Sequence, residues 1–301
     1  MLAFLNNFDP FVFRIGSFGP RWYGLSYVVS ALLVYWLYKK LAERGYTDLA
    51  PEKVADFITY TGLFGVLLGG RLGWILWYGR YQAHESPWWM FEVQNGGMAS
   101  HGGIYGIVLV TFILSRLWRV SWTSIGDSLC VTAPMGLFLV RCANFWNGEL
   151  YGHITDKPWG VKFASELHEN SDAMEALGGD PSALIEAARH DPALAQRIAD
   201  VLPARHPSQL YEAFLEGVVL FAILYTLRTR FRMPRGVLTG LFFILYAALR
   251  ILGEIYRVPD PAWKMGSLSA GQTLSLYFFG IGIAFLIAGL RAQKYEKADQ
   301  R

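Results

Sequence analysis

The chain has 301 residues, 53% hydrophobic and 17% charged, with a formal net charge of +3 and a mean hydropathy of +0.27. That balance points to a membrane protein. Basic residues are interspersed without a stacking platform, so nucleic acid is not an expected partner.

The opening stretch, "MLAFLNNFDPFVFRIG", has no basic leader, clean apolar run or small-residue cleavage site. The first span is therefore expected to act as its own insertion signal. Seven apolar runs reach spanning length: 22–41, 57–78, 98–118, 125–146, 210–227, 237–256 and 270–290. The expected fold is all-α, a polytopic membrane protein with seven transmembrane helices forming one membrane domain over residues 1–301. The hydrophilic segment 153–205, with helical texture in "DPSALIEAARHDPALAQRIADVL", reads as a small extracytoplasmic head inserted between spans four and five. No internal repeat is evident.

Cys130 and Cys142 lie twelve residues apart on one predicted helix, about 18 Å along its axis, too far to bridge. No Cys/His cluster has metal-ligand spacing, so neither a metal nor any other cofactor is expected.

Fourteen Lys and Arg follow the first, third, fifth and seventh runs. By the positive-inside rule those ends are cytoplasmic, the N-terminus is outside and the C-terminus inside. Three arginines remain within spans: Arg71, Arg141 and Arg250. A charge at membrane depth is costly and by default marks a functional site. The topology places Arg71, Arg141 with Asn144, and Arg250 with Glu254 in the outer halves of spans running outward. Tyr23, His101 and the stretch His206 to Glu212 start inward-running spans beside the same outer surface, so separate helices deliver polar groups to one layer.

Arg250 and Glu254, four apart, share a helical face and suit a pair. Two guanidiniums in a low-dielectric cleft make a strong site for phosphate oxygens, and the natural anion at that depth is a phospholipid headgroup. Simpler readings stand beside these. Arg141 is near enough to the interface to snorkel, His101 has the setting of a hydrogen-bonded core histidine, and Cys142 that of a small buried hydrophobe. The competing functional classes are an organic-anion transporter or channel, which calls for repeats or paired broken helices, and a phospholipid-binding scaffold without chemistry.

"RCANFWNGELYG" resembles the signature of the prolipoprotein diacylglyceryl transferase family. "RWYGLSY", "GGRLGWILWY", "GGMASHGGIYG", "LPARHPSQLYEAFLEG" and "YAALRILGEIYRVPD" are similar to that family's other blocks, in order and spacing, over residues 9–272. Arg21 before Trp-Tyr-Gly, Val140 before Arg141, and Trp146 depart from its pattern. The resemblance implies a bacterial cytoplasmic-membrane enzyme that moves the diacylglyceryl group of phosphatidylglycerol onto the lipobox cysteine of a prolipoprotein signal peptide. A thioether forms and glycerol phosphate leaves, as the first step of lipoprotein maturation. Membrane lipids and these two substrates are the implied partners. Carried over by position, Arg141, Asn144, Glu149 and Gly152 match the signature, Arg250 and Glu254 the Arg/Glu pair of the sixth span, His101 a histidine proposed as base, and Tyr23 and Tyr246 functional tyrosines. The expected catalytic set is His101, Arg141, Arg250, Glu254 and Tyr23. Substrate binding is expected from Arg141, Asn144, Asn147, Glu149, Gly152, Tyr246, Arg71, Tyr78 and His206.

Overall fold

A computed structural model describes residues 4–14, 19–77, 79, 97–258, 264–265 and 268–299. The protein is mostly helical. The apolar run after Arg21 forms α1 (Trp22–Glu43). It stops where Gly45 takes a left-handed turn (φ 71°), with the Gly45 amide donating to Ala42 O and the Tyr46 amide to Leu41 O. These two bonds satisfy carbonyls the helix end would otherwise leave bare.

The second run is one continuous rod: α2 (Val54–Tyr60), a π segment (Thr61–Leu68) and α3 (Gly69–Trp77). Against it lies α4 (Ser100–Leu117). Glycines set that contact: a Cβ on Gly73 would come within 2.5 Å of Gly102 Cα, and one on Gly69 within 2.9 Å of Gly106 Cα. Small residues four apart on both partners let two backbones approach where no hydrophobic force separates helix from lipid.

The fourth run is α5 (Trp122–Asn147), capped by the Ser121 side chain accepting from the Ser124 amide and ended by left-handed Gly148. After the insertion, α9 (Ser208–Glu212), a second π segment (Ala213–Val219) and α10 (Leu220–Arg230) form another continuous rod. It is followed by α11 (Val237–Glu254) and α12 (Ala270–Asp299), whose approach is again set by glycine, with a Cβ on Gly240 falling 2.7 Å from Gly282 O.

Within the described residues four helices are long and apolar enough to cross a membrane: Trp122–Asn147, Ser208–Arg230, Val237–Glu254 and Gln272–Ala292, with His101–Leu117 a shorter apolar helix. These fall on the third to seventh predicted runs, and α1 and the second rod are helical over the first two. Leu32, Tyr105, Leu109 and Leu117 expose large apolar side chains, as suits contact with lipid tails.

Within 153–205, the segment expected to form a head, lie α6 (Ser171–Leu177), α7 (Pro181–Ala187) and α8 (Pro192–Val201). Asn170, Asp180 and Asp191 cap these helices with side-chain oxygens, a residue choice made for unpaired first-turn amides. The head has its own core of Leu167, Ala173, Ala188, Ile198 and Leu202. The N-terminal segment joins it. Strand β1 (Phe4–Asn6) pairs in parallel with β2 (Val161–Phe163), and Asn6 Nδ2 donates to Phe145 O at the end of α5 (2.7 Å). A short hairpin, β3 (Lys264–Met265) with β4 (Leu268–Ser269), precedes α12. These strands qualify the all-α expectation. Three-residue pairings leave no periodicity long enough to read in a sequence.

Two apolar clusters hold the bundle together. One joins Tyr38, Phe57 and Ile125, the other Leu41, Val131, Leu220, Leu224 and Leu238. The buried residues of both sit toward the helix ends remote from the head.

Candidate active site

The second π segment sets the geometry of the site. Glu212 ends α9 and Glu216 lies one turn on, within Ala213–Val219, so the two carboxylates share a helical face. Wide turns of this kind are rare and recur at functional sites. Gly217, next in the chain, lets this rod press on α5: a Cβ there would fall 2.5 Å from Phe138 Cβ. Arg141, one turn beyond Phe138 on α5, thereby meets both acids.

An alternating chain of charges results. Arg141 Nε lies 3.1 Å from Glu212 Oε2, and its Nη2 donates to Glu216 Oε2 at 3.1 Å. Arg250 Nη1 donates to Glu216 Oε1 at 3.3 Å. Arg257 Nη1 donates to Glu212 Oε1 at 3.2 Å. Three guanidiniums from three parts of the chain thus meet two carboxylates. Glu212 and Glu216 are 2% and 0% exposed, while the arginine side chains keep 13–16%. The acids are therefore more deeply buried than the arginines that meet them. Arg250 Nε is buried and has no hydrogen-bond partner among the described residues. An orphaned buried donor costs about 1–3 kcal/mol, and an anionic oxygen would satisfy it.

Tyr246, one turn before Arg250 on α11, stacks on Phe242 (5.8 Å) and stands in the field of Glu216, Arg250 and Arg141. Glu254, one turn after, adds its field to Arg250. The sequence suggested Glu254 as the partner of Arg250 on its own helix, and across helices Arg250 meets Glu216.

Beside this chain the turn after α5 is tightly laced. Buried Asn144 donates from Nδ2 to Glu149 Oε1 (2.7 Å). Gln209 Nε2 donates to Glu149 O (2.6 Å) and Ser208 Oγ to Leu150 O (3.0 Å). Leu150 is held at φ 60°, a left-handed conformation costly for a branched residue. The Gly152 amide donates to His206 O, and the His153 amide to Tyr256 O (2.9 Å each). A side chain at Gly152 has no room: its Cβ would lie 2.2 Å from Tyr256 O. Asn147, at the end of α5, keeps its Oδ1 buried without a hydrogen-bond partner among the described residues. His206 Nδ1 is 3.1 Å from Tyr211 Oη, with Tyr256 edge-on at 5.1 Å. Burial first, then the nearby His153 and Lys157, hold its imidazole below the ordinary histidine range.

Other expected site residues gather in different places. Tyr23, at the head end of α1, is 3.3 Å from Tyr27 through their hydroxyls, and Tyr27 lies in the field of Glu149 and Arg141. Arg71 is buried on α3, donating to Gly97 O (3.0 Å) with its guanidinium over Trp74 (4.7 Å). His101, on the first turn of α4, stands edge-on to Trp77 at 6.2 Å. Tyr78 lies outside the described residues. Cys130 and Cys142 are free thiols, and the described residues contain no group of three or more His, Cys, Asp or Glu placed to hold a metal.

Sequence reasoning placed the stretch ending at Glu212 in the polar layer without naming Glu212 as a site residue, and it did not single out Glu216 or Arg257. The signal was available for the acids: both interrupt the apolar rod Ser208–Arg230, and a carboxylate at that depth is as costly as an arginine. Arg257 lies just past the end of α11, where a basic residue passes as ordinary.

A sequence model of the prolipoprotein diacylglyceryl transferase family matches residues 10–288. Similar curated proteins include those named phosphatidylglycerol-prolipoprotein diacylglyceryl transferase from Bdellovibrio bacteriovorus, 36% identical over 96% of this chain and 94% of the relative, and from Serratia proteamaculans, 38% identical over 97% and 96%. The protein of that name from Sodalis glossinidius is 39% identical over 93% and 92%.

Proposed function

The chain belongs to the prolipoprotein diacylglyceryl transferase family, and from that premise we infer that it transfers the diacylglyceryl group of phosphatidylglycerol to prolipoproteins as the first step of lipoprotein maturation. It is a multi-pass membrane enzyme. The observation that carries the mechanism is the pair Arg141 and Arg250 held on the one buried carboxylate of Glu216.

The acceptor is the thiol of the lipobox cysteine. Its sulfur attacks the glyceryl carbon bonded to phosphate oxygen; the C–S bond forms, the C–O bond breaks, and glycerol phosphate leaves with the electron pair. The developing negative charge sits on the leaving phosphate. Guanidiniums fixed before the reaction stabilise it without reorganisation in a water-poor setting. Arg141 and Arg250 bind that phosphate, and Arg250 Nε is the donor left ready for it. Glu212 and Glu216 hold the arginines in place and limit the expense of their burial. Asn144, Asn147 and Glu149 face the glycerol region of the lipid, Gly152 and His206 shape the turn beside it, and Tyr23, Tyr246, Arg71 and Tyr78 complete the lipid-binding set. The thiol proton passes to His101 or to a water near it, or ionises in the arginine field itself.

The seven apolar runs, the helices that occupy them and the bias of basic residues support seven spans. They support a cytoplasmic C-terminus, an outer N-terminus and head, and a site in the outer half of the bacterial inner membrane.

The test incubates purified protein in phosphatidylglycerol micelles with a lipobox peptide and follows peptide mass and released glycerol phosphate. A diacylglyceryl mass gain with stoichiometric glycerol phosphate, lost in a folded Arg250→Ala variant and kept in Cys142→Ser, is expected. Undiminished transfer in Arg250→Ala removes that arginine from the mechanism.

A further inference from the structure

Between residues 153 and 205 only two large apolar side chains are exposed, Ile154 (65%) and Trp159 (57%). Both lie in the first loop of the head, beside exposed Asp156 and Lys157. The helices of the head, by contrast, turn their Leu, Ile and Met side chains inward around the core.

This loop is hydrogen-bonded against the outer ends of the spans. The Thr155 amide donates to Ala204 O, the Val161 amide to Arg205 O and the Gly160 amide back to Lys157 O. Trp159 Nε1 donates to Tyr211 Oη (2.8 Å), and Tyr211 lies on the first turn of the rod Ser208–Arg230. His153, next to Ile154, bonds through its amide to Tyr256 O just past α11. Around that junction Leu210, Leu252, Ile255 and Val258 are also exposed, so the loop sits beside the apolar side chains at the ends of two spans. A tryptophan with its N–H bonded and its ring bare, beside a lysine, has the composition of the headgroup boundary.

We propose that residues 153–160 form a membrane foot: Ile154 and Trp159 enter the interfacial layer of the bilayer, Lys157 reaches anionic headgroups, and the head is thereby docked on the lipid surface beside the site. The occupant of this apolar patch is phospholipid. The inference rests on the membrane placement of the spans given above. Its functional corollary is that the loop walls the lipid-facing side of the turn that carries Gly152 and His206.

The test uses full-length protein with Cys130→Ala and Cys142→Ala, carrying a nitroxide label on either Ile154→Cys or Ser182→Cys. The protein is reconstituted in vesicles of phosphatidylglycerol and phosphatidylethanolamine. Collisions with oxygen, which partitions into lipid, are compared with those of a polar nickel chelate. The expected result is a label at 154 that meets oxygen more than nickel, with the order reversed at 182. A label at 154 that meets nickel freely overturns the proposal, and so does one shielded from both, which would mean contact with protein. Transfer activity is read on the same labelled samples. Retained transfer with a water-facing label removes the foot alone, whereas a lipid-facing label without transfer removes the functional reading and leaves the foot.

Discussion

Gly217 and Phe138 approach so closely that a single methyl group on the glycine would lie 2.5 Å from Phe138 Cβ. Arg141 is three residues beyond Phe138 and Glu216 is adjacent to Gly217, so this contact sets the register at which guanidinium meets carboxylate. Gly217→Ala is expected to push the two helices apart, costing about 1–3 kcal/mol of stability as overpacking. Its larger effect falls on activity. Displaced arginines stabilise the leaving phosphate less well, and transfer is expected to fall about tenfold or more, equivalent to about 1.4 kcal/mol of barrier. Turnover beside thermal unfolding in detergent checks this; a destabilised variant with full turnover would show that the register is structural only.

Glu216 serves two arginines, and removing it should expose their dependence on each other. Breaking a buried pair by deleting one partner leaves an uncompensated charge, at about 3–5 kcal/mol. Glu216→Gln keeps the volume and is expected to be strongly destabilised and slow. Arg141→Gln should be slow as well. Because both changes remove one shared interaction, Glu216→Gln with Arg141→Gln should be less damaging than the sum of the two, with a coupling of about 0.5–3 kcal/mol. A double-mutant cycle on unfolding free energy measures it, and strict additivity would mean that the 3.1 Å contact carries little energy.

The extent to which this site was legible in the sequence follows from the cost of burying charge. Arg141 and Arg250 stand out because each interrupts an apolar run, and their joining with Asn144 in one layer followed from the direction of the spans. What spacing cannot give is the partner across helices. Glu254 is visible at i+4 from Arg250, whereas Glu216 reaches Arg250 only because a π segment and Gly217 bring a distant rod into contact. The short helices within 171–201 were legible, since their cap residues and amphipathic stretches are local signals. Strand β2 was not: its partner strand Phe4–Asn6 is 157 positions away, which leaves no periodic trace.

Acidity should act through His206. Its imidazole is held below the ordinary value of 6.5, by burial first and then by His153 and Lys157, so the folded protein binds this proton more weakly than the unfolded chain. The unfolded state therefore takes up more protons as pH falls through 6.5 toward the lowered folded value, and stability declines in that window. Above 6.5 both states are neutral and the contribution vanishes. His206→Gln should flatten this part of the stability profile and leave the region above pH 7 unchanged. Unfolding curves across pH 5–8 for both proteins, compared by slope, provide the measurement; identical slopes would assign the acid sensitivity elsewhere.

Asp127 offers a contrast with the arginine chain, because it is a fully buried carboxylate at the other end of the bundle. It accepts from the Gly236 amide (2.8 Å), the Thr239 amide (2.8 Å) and Thr239 Oγ1 (2.7 Å), and so acts across helices as the cap that α11 lacks in its own sequence. Gly236, the residue at the capping position, has no side chain to do it. Asp127→Ala would leave buried donors unmet at about 1–3 kcal/mol each. Thr239 and Arg250 are eleven residues apart on the same helix, about 16 Å, so the site itself should be disturbed little. The expected outcome is a clear fall in thermal stability with KM for phosphatidylglycerol near that of the parent, measured well below the new unfolding temperature. A KM that rises sharply in a variant still folded would show that the position of α11, and with it Arg250, is set from the end remote from the head rather than by Glu216.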